Sequence, residues 1–427
     1  MNRREFVGML TAFAAEGVKI NETTIRALIQ GLSLIGRPAG ETFSSGVSRV
    51  GYSDEDLKGR AYVMDLMRKA GASVRVDAAG NIFASRAGSD AKLAPLLFGS
   101  HADSVPEGGN FDGALGVLAS IEVLRALNEK KTVTRRGLTA VVWACEEASF
   151  SGISLNGSRA AVGIAQDMKK VSRGLTKAEA IRKIGGDPEK IESARIAKGA
   201  YHAYLELHIE QGAKLERAGV PIGVVDGIVL IDHYEVTITG EANHAGTTPM
   251  AERRDAMIAA AQLTLAVREI VVAEEGAQVG TVGHIEVSPN AMNVIPGRVE
   301  MSIELRDLST GKLEKLGERI RARVRAIAAE TKTEITITMS GRNDPALADA
   351  KIQTLIEKSA AELGLRTMHL PSGAGHDAQN MARLMPMGMI FVPSIGGISH
   401  SPRELTSWAD CARGANVLLK TILALAS

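Results

Sequence analysis

Leu138-Thr139-Ala140-Val141-Val142-Trp143-Ala144-Cys145-Glu146-Glu147 decides the fold. An apolar run of strand length ends abruptly on two adjacent carboxylates. A strand this apolar is buried on both faces, as in a parallel sheet covered by helices. Two carboxylates at its end raise each other's pKa unless a cation lies between them or they serve different partners. Upstream, Pro95-Leu96-Leu97-Phe98 runs into Gly99-Ser100-His101-Ala102-Asp103 in the same manner. In open α/β sheets, ligands bind outside the carboxyl ends of the strands. The two stretches therefore predict one site at one sheet edge.

The flanking pattern agrees. Asn21 to Gly36 reads as a helix with Ile25, Leu28, Ile29 and Leu32 on one face. Ser53-Asp54-Glu55-Asp56 reads as a capping box opening a helix that ends near Gly71. Strands at Ser73–Asp77, Asn81–Arg86, Pro95–Ser100 and Leu138–Cys145 alternate with a helix from Gly113 to about Lys130, an α/β pattern. Residues 228–340 form a different block, β-α-β-β-α-β, the ferredoxin-like split unit. Within it Val299, Met301, Ile303 and Leu305 alternate with polar residues, so Arg306 faces away from the apolar side. The organisation read from sequence is an N-terminal extension (1–19), a first part of the main domain (20–227), an inserted unit (228–340) and a second part (341–427).

Composition narrows the function classes. The 427 residues exceed one simple core and indicate two domains. A net charge of +1 offers no bulk attraction to nucleic acid or an acidic membrane. No apolar run is long enough for a spanning helix. Two cysteines, Cys145 and Cys411, make no disulfide framework and read as buried thiols. Arg3-Arg4-Glu5-Phe6-Val7 followed by Gly8 to Ala15 reads either as a basic extension or as a twin-arginine leader. The expected location is thus cytoplasmic, or periplasmic with a working leader.

Histidine nitrogens and carboxylate oxygens are ligands for zinc and similar ions. Five are framed by glycines or strand ends: His101, Asp112 in Gly109-Asn110-Phe111-Asp112-Gly113, Glu147, His208 in Glu206-Leu207-His208-Ile209, and His400 in Ser399-His400-Ser401-Pro402. Three histidines and two carboxylates suffice for two metals if one carboxylate bridges. Glu146 is then free to act as a base beside a ligand. Each residue also has an ordinary reading: Asp112 as a turn residue, Glu147 paired with Arg159, His208 as a plain strand residue.

Taken together, Gly-Ser-His-Ala-Asp (99–103), Gly-Gly-Asn-Phe-Asp-Gly (108–113), Glu-Glu (146–147), Glu-Leu-His-Ile-Glu-Gln-Gly (206–212), Asn-His-Ala-Gly-Thr-Thr-Pro-Met (243–250), Asn-Val-Ile-Pro-Gly (293–297), Ser-Gly-Ala-Gly-His-Asp-Ala (372–378) and Ile-Ser-His-Ser-Pro (398–402) resemble the hydantoinase/carbamoylase amidases. The resemblance runs from about residue 20 to the C-terminus. It implies a zinc-exopeptidase-like catalytic domain with an inserted lid that also dimerises, and two divalent metals per subunit: zinc first, with manganese, cobalt or nickel as alternatives. His101 and His208 would bind one metal, Glu147 and His400 the other, with Asp112 bridging and Asp103 fixing an imidazole. Glu146 would be the general base that generates a metal-bound hydroxide. His244 would stabilise the oxyanion from the partner subunit. Asn293 and Arg306 would hold a substrate carboxylate, with Gln211, Gly375 and His376 near the substrate. The implied reaction cleaves a C–N bond of a carbamoyl or ureido compound bearing a carboxylate. N-carbamoyl-L-amino acids lead; allantoate and ureidopropionate are alternatives, an aminoacylase or dipeptidase comes next, and a non-catalytic binding protein last. Two departures bear on the substrate: Ala148-Ser149-Phe150-Ser151-Gly152 after the Glu pair, and Leu230-Ile231-Asp232-His233, where Asp232 would disfavour a second carboxylate.

Overall fold

The computed structural model describes residues 17–427. The leader reading of Arg3 to Ala15 lies outside them. The chain divides into two compact units, one ending at Gly227 and resuming with Leu347–Ser427, the other Ile228–Ala346.

The larger unit is built on a nine-stranded sheet among the described residues. Its centre is four parallel strands side by side: Leu138–Trp143, Leu96–His101, Tyr204–Ile209 and Met387–Val392. Every residue of all four is buried, including Glu206 and His208 in the alternating Tyr204–Ile209 strand. His101 is paired in register with Trp143, and His208 with Phe391. Parallel pairing therefore brings their carboxyl ends, and the loops that follow, to one edge. Antiparallel Ser73–Val76 and Ile82–Arg86 extend one side. The helix Ala114–Glu129 is buried along most of its length and packs against the parallel strands. Cys145 and Cys411 are both buried free thiols.

The helix Asp54–Lys69 forms as expected, but its capping box is only half made. Ser53 Oγ accepts from the Asp56 amide, whereas the Asp56 carboxylate accepts from Tyr52 N–H at 2.8 Å. Aspartate is one methylene shorter than the glutamate that closes a box. No described helix is long and apolar enough to cross a membrane.

The smaller unit is one four-stranded antiparallel sheet with two helices. The strand order is Val279–Ser288, Arg298–Asp307, Leu230–Thr239, Glu334–Asn343, the ferredoxin-like arrangement. The helix Thr310–Thr331 buries Leu313, Leu316, Ile320, Val324 and Ile327 against the sheet. Truncating Ile320, 1% exposed, to alanine would cost about 2–5 kcal/mol. The last strand runs past residue 340, where the sequence reading ends the block, because a bulge between Met339 and Gly341 lets pairing continue to Asn343. That continuation places Arg342 opposite Asp232. Asp232 is fully buried and bound at both oxygens by the Arg342 guanidinium, at 2.6 and 2.7 Å. It is a structural ion pair, so the expectation that it opposes a substrate carboxylate is not met.

Candidate metal centre

Asp112 is the hub of the site. Its Oδ1 lies 3.3 Å from His101 Nε2 and 3.2 Å from His208 Nε2. Its Oδ2 lies 3.6 Å from His400 Nε2, which is itself 3.4 Å from Glu147 Oε1. Ligand atoms of His101, Asp112 and His208 fall within 4.8 Å of one another, as do those of Asp112, Glu147 and His400. Glu147 pairs with His400 among the described ion pairs, and no pair with Arg159 is formed.

The backbone explains the glycines around Asp112. Gly113 has φ +61°, and a Cβ there would run into the His101 ring. At Gly109 a Cβ would strike the Glu404 carboxylate. Three other site positions are left-handed without being glycine: Cys145 (φ 49°), Gln211 (59°) and His400 (52°). Such strain clusters where surrounding structure holds functional groups in place.

Both inner imidazoles are oriented for coordination. His101 Nδ1 is 3.0 Å from the Asp103 carbonyl and His208 Nδ1 is 2.9 Å from the Ile209 carbonyl. A proton on each Nδ1 leaves the Nε2 lone pair facing Asp112. The imidazole partner of His101 is thus the backbone of Asp103, not its carboxylate, which stands 3.8 Å away, beyond hydrogen-bond reach. That carboxylate accepts instead from the amides of Glu146 (3.1 Å) and Glu147 (3.3 Å).

The electrostatics call for a cation. Burial raises Glu146 well above the usual carboxylate range, with Glu147 and Asp377 adding to it against the pull of His101. Burial, then Asp112, raises Glu147 to about 8. Burial alone would lower His101 and His208, yet the surrounding carboxylates raise both. Burial would also raise Asp112, but the two histidines hold it well below its usual value. No lysine or arginine pairs with Asp112, Glu146 or Glu147 among the described ion pairs. A His/carboxylate donor set lacking its own fixed cation fits divalent metals.

Sequence reasoning overlooked Glu404 and Ser399. Glu404 Oε1 accepts from the amides of Phe111 and Asp112, and Ser399 Oγ lies between two carboxylate oxygens, 2.8 Å from Glu404 Oε2 and 2.9 Å from Asp112 Oδ2, with one proton to donate to either. Burial, then the charge of Asp112, raises Glu404 to about 7. Its signal was its place in Ser399-His400-Ser401-Pro402-Arg403-Glu404, just past a candidate ligand. A third cluster, Glu206, His208 and His376, also lies close. Glu206 is already occupied by Ser100, Tyr204 and the Ala378 amide, so it serves as a buried brace.

Gln211 Nε2 donates to Asp112 Oδ2 at 2.7 Å. His376 is fully buried, edge-on to the His208 ring at 4.5 Å and bonded to Ser372, a supporting position behind the ligand. Gly375 lies on the exposed turn before it. The remaining candidates belong to the smaller unit. His244 pairs by a bridge with Val294, and Ala245 N–H donates to the Asn293 carbonyl. His244 Nδ1 accepts from Gly246 N–H, so a neutral ring carries its proton on Nε2. Arg306 donates to Glu304 at 2.6 Å.

Known proteins share this sequence and fold. The model for peptidase family M20/M25/M40 matches residues 97–424. The N-carbamoyl-L-amino acid amidohydrolase of Geobacillus stearothermophilus is 40% identical over 390 residues, covering 91% of this chain and 95% of that protein. The ureidoglycolate hydrolase of Arabidopsis thaliana is 38% identical over 390 residues, 89% of this chain and 82% of that one. The crystal structure of a hydantoinase/carbamoylase family amidase from Burkholderia multivorans aligns with a TM-score of 0.86 at 34% identity, covering 96% of this chain and 98% of that one. The chain belongs to the metal-dependent peptidase family M20/M25/M40, among its hydantoinase/carbamoylase amidases.

Proposed function

We propose that the protein is a binuclear metal amidohydrolase cleaving the C–N bond of an N-carbamoyl-L-amino acid or a close ureido relative. The observation that carries the reading is Asp112, whose two oxygens face two separate ligand groups with Glu146 alongside. His101 and His208 would hold one ion, Glu147 and His400 the other, with Asp112 bridging. Bound divalent ions would lower the pKa of water toward about 7 and polarise the carbonyl. Zinc suits the donors best; manganese, cobalt and nickel also fit.

Glu146 takes a proton from the attacking water and delivers it to the departing nitrogen. Its place beside Glu147 and within 3.8 Å of His101 suits it to hold that proton in between. A carbamoyl substrate then yields amine, ammonia and carbon dioxide. His244 Nε2–H would donate to the developing oxyanion, a contact worth about 3 kcal/mol. Asn293 and Arg306 would receive the substrate carboxylate, for which the guanidinium fork is matched.

A homodimer formed through the smaller unit completes the proposal. Its edge strand Val279–Ser288 exposes Val279 and Ile285. The helix Ala256–Val272 exposes Ile258, Leu265 and Val272 on one side. An unpaired edge beside an apolar stripe is suited to a second copy.

The similarity to a ureidoglycolate hydrolase keeps that substrate as a second reading. One assay tests both: ammonia release from N-carbamoyl-L-amino acids, allantoate, ureidoglycolate and ureidopropionate, with metal supplements and a chelator control. Turnover of N-carbamoyl amino acids, lost on chelation and restored by metal, is expected. Chelator-insensitive turnover would overturn the metal reading.

A further inference from the structure

The Glu146-Glu147 pair sits on a turn that ordinary strand geometry does not supply. Cys145 enters it in a left-handed conformation, φ 49°. Asp103 holds the two glutamate amides from one side. The carbonyls are held by the segment 155–157. Leu155 N–H donates to the Glu146 carbonyl at 2.6 Å, Asn156 N–H to Cys145 at 3.1 Å and Gly157 N–H to Ala144 at 2.8 Å. The Asn156 side chain adds Nδ2 bonds to the carbonyls of Cys145 (3.0 Å) and Ile153 (2.7 Å).

An amide side chain makes those bonds in only one of its two flips. Lys177 fixes the flip: its Nζ donates to Asn156 Oδ1 at 2.6 Å and to Tyr52 Oη at 2.6 Å. The ammonium also lies 4.5 Å from the Tyr52 ring centroid and 5.1 Å from that of Phe150. Lys177 is 3% exposed, and its Nζ hydrogen bonds among the described residues go to the neutral oxygens of Tyr52 and Asn156. Burying an ammonium without a carboxylate partner is costly, and here the hydrogen bonds to Asn156 and Tyr52 offset that cost.

We propose that Lys177 is a positioning residue: by locking Asn156 it holds the Cys145 turn that aims Glu146 and Glu147. Phe150, one of the departures noted in the sequence, forms part of its cage. The proposal rests on the assignment of these glutamates as base and metal ligand.

The test compares Lys177→Met with the parent enzyme. The variant leaves Asn156 Oδ1 without its Lys177 donor and should melt lower than the parent, and in the folded protein kcat should fall about 10–100-fold with little change in KM. Zinc chloride titrated into metal-free protein by calorimetry should show the weaker affinity reduced about tenfold or more. Adding Asn156→Ala should produce no loss beyond that of Asn156→Ala alone. Should Lys177→Met fail to fold, Lys177→Leu, which likewise has no donor toward Asn156, carries the same expectation. Unchanged zinc affinity in a folded Lys177 variant overturns the proposal. The titration needs no substrate, so a parent enzyme silent on every carbamoyl compound would count against the proposed reaction and leave the zinc result to decide this one.

Discussion

The Asp103 carboxylate accepts from the main-chain amide of Glu146 at 3.1 Å. A side chain two residues past one candidate ligand thereby fixes the backbone of the candidate base in the loop after the neighbouring strand. Asp103→Ala would leave the buried amides of Glu146 and Glu147 unpaired, at about 1–3 kcal/mol for each. The expected outcome is a lower urea midpoint together with a kcat reduced about 10–100-fold. Full activity in a destabilised protein would show that the turn keeps its aim without this contact.

Glu146→Gln separates the proton carrier from the metal ligands. Gln keeps the volume and hydrogen-bond reach but cannot take a proton at neutral pH. Metal content measured by elemental analysis should stay at the parent level while kcat drops by about 10²–10⁴. Undiminished turnover would remove Glu146 from the base role.

The parts legible in the sequence were those with local period or local punctuation. The Leu138–Trp143 and Leu96–His101 runs end on the residues that matter, so the parallel sheet and its edge could be read directly. The alternation of Val299, Met301, Ile303 and Leu305 likewise disclosed the small sheet. What escaped depends on contacts between residues far apart in the chain. Nothing near Asp232 signals that Arg342 will stand opposite it, because that register is set by a bulge in another strand. Asp103 reads in sequence as the partner of the nearer imidazole, but its carboxylate turns to amides just past the end of the adjacent strand. Lys177 and Asn156 reach the Glu pair only through folding of the intervening segment.

Subunit sharing has a direct test. His244→Ala and Glu146→Gln proteins should each be nearly inactive. If the oxyanion donor is supplied across a dimer, mixed and exchanged subunits contain sites with an intact Glu146 and a partner with an intact His244. Such a mixture should recover up to about a quarter of parental activity by random pairing. No recovery, with exchange verified by a tagged subunit, would place both residues of one site in one chain.

Last, His369 supplies a pH-dependent contact outside the metal centre. Its Nδ1 is 2.7 Å from Asp226 Oδ1 and its Nε2 is 2.9 Å from Glu357 Oε1. Hydrogen bonds to Asp226 and then Glu357 raise its pKa above the usual histidine value. The stabilisation is therefore fully present below the unfolded-state pKa, about 6.5, and is lost as pH rises through the higher folded-state value. His369 is 43% exposed at its side chain, so solvent screens the pair and limits it to about 0.2–1 kcal/mol. His369→Gln should cost that much at pH 6, measured by urea unfolding, and the gap should close as the medium becomes alkaline. A gap that widens with pH would refute the assignment. The strand Thr367–Ser372 that carries His369 leads into the Gly373-Ala374-Gly375 turn, so protonation there tethers the base of that turn to the helix Ala350–Glu362.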